Sequence, residues 1–413
     1  MATGSDPTGA LELRCGWRII VVAIFGVGLG LSPLPIYSLG VFAKPISEEF
    51  GWGRGQVQLM LTFFTIGSLI GTPITGFIID RIGVRRVVLF ATAGFACGMA
   101  LLGLATSSLF TFYGISMLTA LLGAGTGPVA WSRAIFEWFR IRRGLGLGLA
   151  LTGTGLSAFL IPSYATWVLT QSGWRMGYVG LAILPLLISL PLSYVFLRSP
   201  PKLTTPSGRD IPDAGMTLKV AMSGRQFWTT GLSFFLASLG TGGVVTSVVP
   251  MLTDRGYDMK TAAMVSGLQG LAVVFGRVIT GYLLDRIWAP ILAAFIFALP
   301  AVACGVLSYG ADSVTIFTAC VILVGFAGGA EFDMIAYIAG RYFGLRHFGA
   351  VYGVLYVIFV SASGFAPAIF GQSYEMTGSY ALMLQVAAAC FLVGAGLILT
   401  LGRYPAEFDP KRT

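Results

Sequence analysis

The sequence predicts an all-α membrane protein: twelve transmembrane helices in two pseudo-symmetric six-helix bundles. Three observations lead there. The 413 residues are 56% hydrophobic and only 10% charged, whereas soluble domains carry roughly 25% charged residues. Twelve apolar stretches can be drawn, each near the ~20 residues that cross a hydrocarbon layer. Threading them in and out gathers the lysines and arginines on one side.

In chain order, the polar residues 1–18 form an expected cytoplasmic tail. The first span, 19–42, is too long for a signal-peptide core and lacks a small-residue cleavage pattern. Spans two to six follow at 57–79, 87–106, 110–136, 144–171 and 177–197, completing the first bundle (19–197). The stretch 198–226, rich in Pro, Ser and Thr, reads as a cytoplasmic linker. The second bundle (227–401) holds spans at 227–250, 262–284, 291–308, 314–340, 348–370 and 379–401, before a cytoplasmic tail at 402–413. With the N-terminus inside, twenty of the 26 basic residues fall on the cytoplasmic side. Five lie outside, and Arg277 lies within the membrane. That split puts both termini in the cytoplasm. The 56 glycines are expected where helices approach closely, and Pro33, Pro35, Pro128 and Pro162 mark kinks within spans.

Internal similarity supports the two halves. Gly76-x-x-x-Asp80-Arg81 recurs as Gly281-x-x-x-Asp285-Arg286 at an offset of 205. Trp138-Phe139 before Arg142-Arg143 recurs as Tyr342-Phe343 before Arg346-His347 at an offset of 204. Two landmarks sharing one spacing point to a duplicated six-helix unit.

GFIIDRIGVRR (Gly76–Arg86) resembles the loop motif G-x-x-x-D-R-x-G-R-R/K of the major facilitator superfamily. YSLGVFAKPISEEFGWGR (Tyr37–Arg54) and GRYFGLRHFGAVYG (Gly340–Gly353) are similar to the monocarboxylate porter and oxalate:formate antiporter group. The resemblance covers the whole chain. It implies the major facilitator fold and transport of a small organic anion by alternating access.

The candidate chemistry sits in the second half. A charge in a spanning helix is costly and by default functional. Arg277 lies about 6 Å to the cytoplasmic side of the eighth span's centre, and Glu331 and Asp333 lie roughly 6–9 Å to the same side of the tenth. The repeat places Thr72, Gly127 and Val129 at the equivalent positions, so the first half carries none of these charges. A guanidinium offers a planar fork that suits a carboxylate and stays charged. The resemblance gives an arginine on the eighth helix the substrate-binding role, and Arg277 matches it. The expectation is a guanidinium left without a permanent mate. The alternative is an arginine paired to Glu331 or Asp333, and the two combine if substrate and acid compete for it. Glu331 and Asp333, about 200° apart around a helix, cannot both face one cavity. Either could be the proton-coupling acid, the other pairing locally, toward Arg341, or both could belong to a gate network. Tyr37, Trp131, Tyr337 and Tyr356 are candidate substrate contacts on helices that the resemblance places around the cavity. Asp80, Arg81, Arg85, Arg86, Arg133 and Glu137, with Asp285, Arg286 and Arg341, are candidates for a cytoplasmic gate.

The resemblance also has gaps. Animal monocarboxylate porters pair the eighth-helix arginine with an aspartate four residues earlier, where this chain has Val273. No lysine lies within 19–42, and no cation within 348–370. One available cation suits a substrate with one carboxylate. The resulting expectation is a proton-coupled symporter of a monocarboxylate in a bacterial inner membrane, acting as a monomer. An oxalate:formate-type exchanger and a proton-driven exporter of amphipathic compounds are the alternatives. The fifth span lacks the G-x-x-x-G-P-x-x-G-G motif of drug antiporters, which counts against the last. A single histidine and five scattered cysteines argue against an enzyme, a metal site or a cofactor. The glycine-rich runs follow no strand, so they give no nucleotide motif. The basic excess is membrane-orienting and implies no nucleic-acid partner.

Overall fold

The computed structural model describes residues 7–105, 108–198, 214–310 and 313–405. Most of the linker (199–213) and the end of the C-terminal tail lie outside them. Among the described residues the chain is helical, and one isolated antiparallel bridge joins Gly215 to Gly344. Eleven stretches among the described residues are long and apolar enough to cross a membrane. One of them, Arg143–Phe196, runs for 54 residues, about 80 Å at 1.5 Å per residue and more than twice the hydrocarbon thickness. It breaks at Gly173, whose φ of 78° leaves the helical region, a conformation glycine adopts without steric cost. Two crossings therefore share that stretch, giving twelve among the described residues.

Several spans are segmented. The first comprises α1 (Pro7–Gly28) and α2 (Pro33–Phe50), so it starts before residue 19 and is interrupted near its middle. α3 (Arg54–Ile82) and α4 (Val84–Gly103) follow. The fourth span is α5 (Leu109–Gly123), a 3-10 turn at Ala124–Thr126, then α6 (Pro128–Trp138). Pro33 and Pro128 stand in the first turns after these breaks, where a missing N–H costs nothing. Pro162, by contrast, lies within the helical part of its span that precedes the break at Gly173. α7 (Arg143–Leu151) and α8 (Gly153–Leu184) lead through a π-helical turn at Pro185–Ser189 into α9 (Leu190–Phe196). α10 (Leu218–Ser223) is short; α11 (Arg225–Thr253), α12 (Met259–Leu284), α13 (Ala289–Ser308), α14 (Val314–Phe343), α15 (Phe348–Thr377) and α16 (Ala381–Leu399) are the remaining spans.

The chain divides into two compact units: Met1–Arg142, Leu149–Ala214 and Leu345–Gly353 form one, and Arg143–Gly148, Gly215–Gly344 and Val354–Thr413 form the other. Each unit thus includes the opening turns of a helix from the opposite half of the sequence. The first unit's core is aromatic: Phe42 meets Tyr178 with ring centroids 5.0 Å apart, and Trp52 meets Phe112 at 5.6 Å. Near its polar end, Glu49 accepts from the Trp174 indole at 2.6 Å and pairs with Arg175. α1 and α8 touch where Gly28 and Gly153 stand backbone to backbone, the close approach expected of small residues in membrane helices. In the second unit Phe234 packs edge-on to Phe297 at 5.3 Å, and α12 meets α14.

Candidate functional site

The approach of α12 to α14 builds the site. Gly276 lies against the Phe326 backbone, and Gly329 against that of Val273. A β-carbon at either position would strike main chain, so glycine is what lets the helices close. Arg277 follows the first glycine, and Glu331 and Asp333 follow the second. The result is an ion pair: Arg277 Nη1 donates to Asp333 Oδ1 at 3.3 Å, with the two side chains 5% and 0% exposed. The guanidinium also lies over the Phe332 ring, 5.2 Å from its centroid, a favourable placement for a buried cation.

The expectation of a guanidinium without a mate is not met: in this conformation Arg277 is held by a tenth-span acid. The pair is incomplete, however. Arg277 Nε and Asp333 Oδ2 are buried without a hydrogen-bond partner. Arg277 could present two parallel donors to a carboxylate; here Asp333 takes one. A buried polar group without a partner costs about 1–3 kcal/mol, more for a charged one.

Glu331 points elsewhere. Its Oε1 accepts from Thr241 Oγ1 of α11 at 2.6 Å, and it is buried. The two acids thus face α11 and α12, as their separation around the helix requires. Among the described residues neither acid is hydrogen-bonded to Arg341. Thr241, Phe332, Gln269 and Thr280 were not singled out from the sequence. Neutral side chains in an apolar span carry little signal; only the position of Phe332 between the two acids could have drawn notice.

The cytoplasmic candidates arrange themselves around helix starts. Within the first unit Asp80 accepts from Gly349 N at 3.0 Å and Ala350 N at 2.9 Å. Within the second, Asp285 accepts from Gly144 N at 2.7 Å and Leu145 N at 3.0 Å. Donors and acceptors alike repeat at the 205-residue offset. Both aspartates sit at helix N-termini, where orphan N–H groups and the helix dipole favour a carboxylate. Asp80 thus caps backbone N–H groups, with Arg133 and His347 within electrostatic reach. Arg133 itself pairs with Glu137 at 3.1 Å and donates to the Leu345 carbonyl. Arg85 donates to the Tyr194 carbonyl at 2.7 Å, while Arg81 and Arg86 are exposed. Arg286 is also exposed and covers the Tyr282 ring. Arg341 is buried and stacks on Tyr404, 4.3 Å from its centroid.

The Major Facilitator Superfamily model matches residues 20–368. The chain belongs to that superfamily. Rat monocarboxylate transporter 13 is 26% identical over 401 residues, covering 94% of this chain and 89% of the relative. A probable sulfoacetate transporter of Cupriavidus necator is 24% identical over 419 residues, covering 93% and 94%. The solved structure of a proton:xylose symporter superposes with a TM-score of 0.74 at 13% identity, covering 97% of this chain and 99% of that one. This superfamily member is a multi-pass membrane transporter, not an enzyme.

The aromatic candidates of this facilitator fare differently. Trp131 is fully buried; its indole donates to the Thr126 carbonyl at 3.1 Å and its ring fills the space beside Gly26. It packs within the first unit. Tyr37 packs partly buried against the first unit's apolar core. Tyr356 lies 6.1 Å from the Phe332 ring, close behind the ion pair. Tyr337, one turn beyond Asp333, is within electrostatic reach of Asp285, Arg341, Arg143 and Tyr404, so it belongs to the cytoplasmic cluster. All five cysteines are free. No group of three or more His, Cys, Asp or Glu residues among those described could hold a metal ion.

Proposed function

We propose that this facilitator carries small organic anions bearing a carboxylate, most simply monocarboxylates, by alternating access in symport with a proton. The observation that carries the reading is the half-made Arg277–Asp333 pair: a buried cation with an unused donor, held by an acid with an unused acceptor. Asp333 occupies Arg277 while substrate is absent. An incoming carboxylate competes for the same fork and can take it with two parallel hydrogen bonds. Asp333 would then be a lone buried carboxylate, and breaking a buried pair costs about 3–5 kcal/mol. Protonation removes that charge. The proton on Asp333 and the anion on Arg277 are therefore favoured together, and the loaded site has the same net charge as the empty one.

Glu331 is the second acid of the site. Its partner is a hydroxyl, which can donate to a carboxylate or accept from a carboxylic acid, so Thr241 can serve either protonation state. The names of the relatives agree with an anionic cargo: a monocarboxylate transporter and a sulfoacetate transporter. The basic-residue distribution supports cytoplasmic termini; the reading is completed by a monomer in a bacterial inner membrane. Asp80 and Asp285 act in this reading as the cytoplasmic clasps whose release accompanies the transport cycle.

The test is uptake of a panel of labelled monocarboxylates into proteoliposomes, with and without a gradient acid on the side of entry. Accumulation only with the gradient is expected. Transport of neutral solutes with no carboxylate carried would overturn the anion. Accumulation driven by a trapped counter-anion and indifferent to pH would replace symport by exchange.

A further inference from the structure

A second buried side chain on α12, like Arg277, has a nitrogen donor without a partner. Gln269 is 4% exposed, its Nε2 is buried, and its side chain makes no hydrogen bond among the described residues. It stands eight residues before Arg277, with Val273 between them and Thr280 beyond. Positions 269, 273, 277 and 280 follow the spacing of one helical face. That face meets α14: Gly325 lies against Gln269, Gly329 against Val273, and Asp333 against Arg277. Thr280 is fully buried and its hydroxyl is also unpartnered. A leucine or methionine at 269 would fill the same space with no polar atom to satisfy, so a buried amide without a protein partner needs an explanation, and a bound ligand is one.

We propose that Gln269 is a second substrate-binding residue, making with Arg277 a two-point clamp for a carboxylate that carries a hydrogen-bond acceptor at its far end. This rests on Arg277 being the carboxylate site. Eight residues of helix put the two positions about 12 Å apart along the axis. The longer arginine, leaning toward the helix N-terminus, brings its head nearer, leaving on the order of 10 Å. The cargo so selected is an extended monocarboxylate ending in a hydroxyl, carbonyl or carboxamide. A site built to hydrogen-bond such a group discriminates against the analogue lacking it, because the amide is then left unpaired. Plain apolar acids of the same length engage Arg277 alone.

The experiment measures competition for uptake in proteoliposomes carrying the full chain. The probes are straight-chain monocarboxylates of about four to ten carbons, spanning the estimated separation, each compared with its ω-hydroxy counterpart. Wild type should prefer the ω-hydroxy acid by about tenfold at one optimal length, the discrimination of roughly one hydrogen bond. Gln269→Met should bring that ratio to near unity. Gln269→Asn, whose amide is one methylene shorter, should move the optimum to a longer acid, a shift that a purely structural residue would not produce. Equal competition by both acids at every length in wild type, or a preference that persists in Gln269→Met, overturns the clamp while leaving Arg277 as the carboxylate site. If no carboxylate competes at all, the anion reading fails and takes this proposal with it.

Discussion

The fourth and tenth spans stand at equivalent places in the two sequence halves and are built in opposite ways. The fourth is broken at Ala124–Thr126, beside Gly127 and Val129, the counterparts of Glu331 and Asp333. The break frees backbone groups, and local partners meet them. Thr126 Oγ1 donates to the Gly123 carbonyl at 2.8 Å and accepts from Leu31 N at 2.9 Å, at the gap in the first span. The Thr126 carbonyl accepts from Trp131. The tenth span is one continuous helix, Val314–Phe343; its irregularity is in side-chain charge, and there partners are incomplete. Where the groups freed by a break are satisfied by their own neighbours, as at Ala124–Thr126, the region is architecture, although Ser132 Oγ further along the same span is buried without a partner. A region that leaves Arg277 Nε, Asp333 Oδ2 and Gln269 Nε2 without partners has kept capacity for something that arrives and leaves.

The sharpest test of that difference is Arg277→Lys. An ammonium keeps the charge but loses the planar fork, so transport should fall by at least about 100-fold, the loss of roughly two charge-assisted hydrogen bonds. Membrane insertion should be intact, as read by the amount of folded protein after purification. Uptake near the wild-type rate would remove Arg277 from the site and leave the two spans alike in purpose.

The next effect separates the two acids. Asp333→Asn keeps the size but cannot carry a proton on and off. Counterflow exchange should continue while gradient-driven accumulation falls to simple equilibration. Glu331→Gln retains a hydrogen-bond partner for Thr241 and should leave accumulation at about half of wild type or better, because no charge on Glu331 competes for Arg277. Loss of accumulation in Glu331→Gln with retention in Asp333→Asn would exchange the two roles.

How far these differences could be read from the sequence depends on what kind of signal each left. Apolar length and the alternation of basic residues gave the twelve crossings, because the bilayer imposes both on any sequence that spans it. Arg277, Glu331 and Asp333 stood out for the same reason: charges are rare there. Their pairing was not legible, because both acids lay within reach of α12 in depth and only the helix rotation decides which one faces Arg277. The break in the first span was misread as a kink within a helix, since Gly30 and Pro33 permit either, and a tertiary contact with Thr126 chooses. The resemblance places the helix of Trp131 beside the cavity, but it cannot tell an aromatic packed on Gly26 from one lining a passage. Gln269 was passed over because a lone amide in a helix is ordinary until its neighbours are known.

Thr126→Val tests the architectural side. It keeps the side chain's shape and leaves Leu31 N without its acceptor, so stability should fall by about 1–3 kcal/mol. The expected readout is a lower melting temperature in detergent, with apparent KM for a carboxylate within about twofold of wild type, since no ligand contact is lost. A change in KM larger than the change in stability would make the broken spans part of the binding site.

The smallest effects belong to the one feature the two halves share. Asp80 and Asp285 each cap two consecutive backbone N–H groups at a helix start. Replacing either with alanine should cost about 0.5–2 kcal/mol, the range for losing an N-cap side chain. Because the geometry repeats, Asp80→Ala and Asp285→Ala should lower the melting temperature by similar amounts. Their charged neighbours are different residues: Asp80 has Arg133 and His347 in reach, and Asp285 shares the Tyr337 cluster with Arg143 and Arg341. A larger loss for one of them would show that neighbouring charge, and not the cap, carries its contribution. Equal losses would mean that the halves diverged in their binding chemistry while keeping the same clasp at their helix starts.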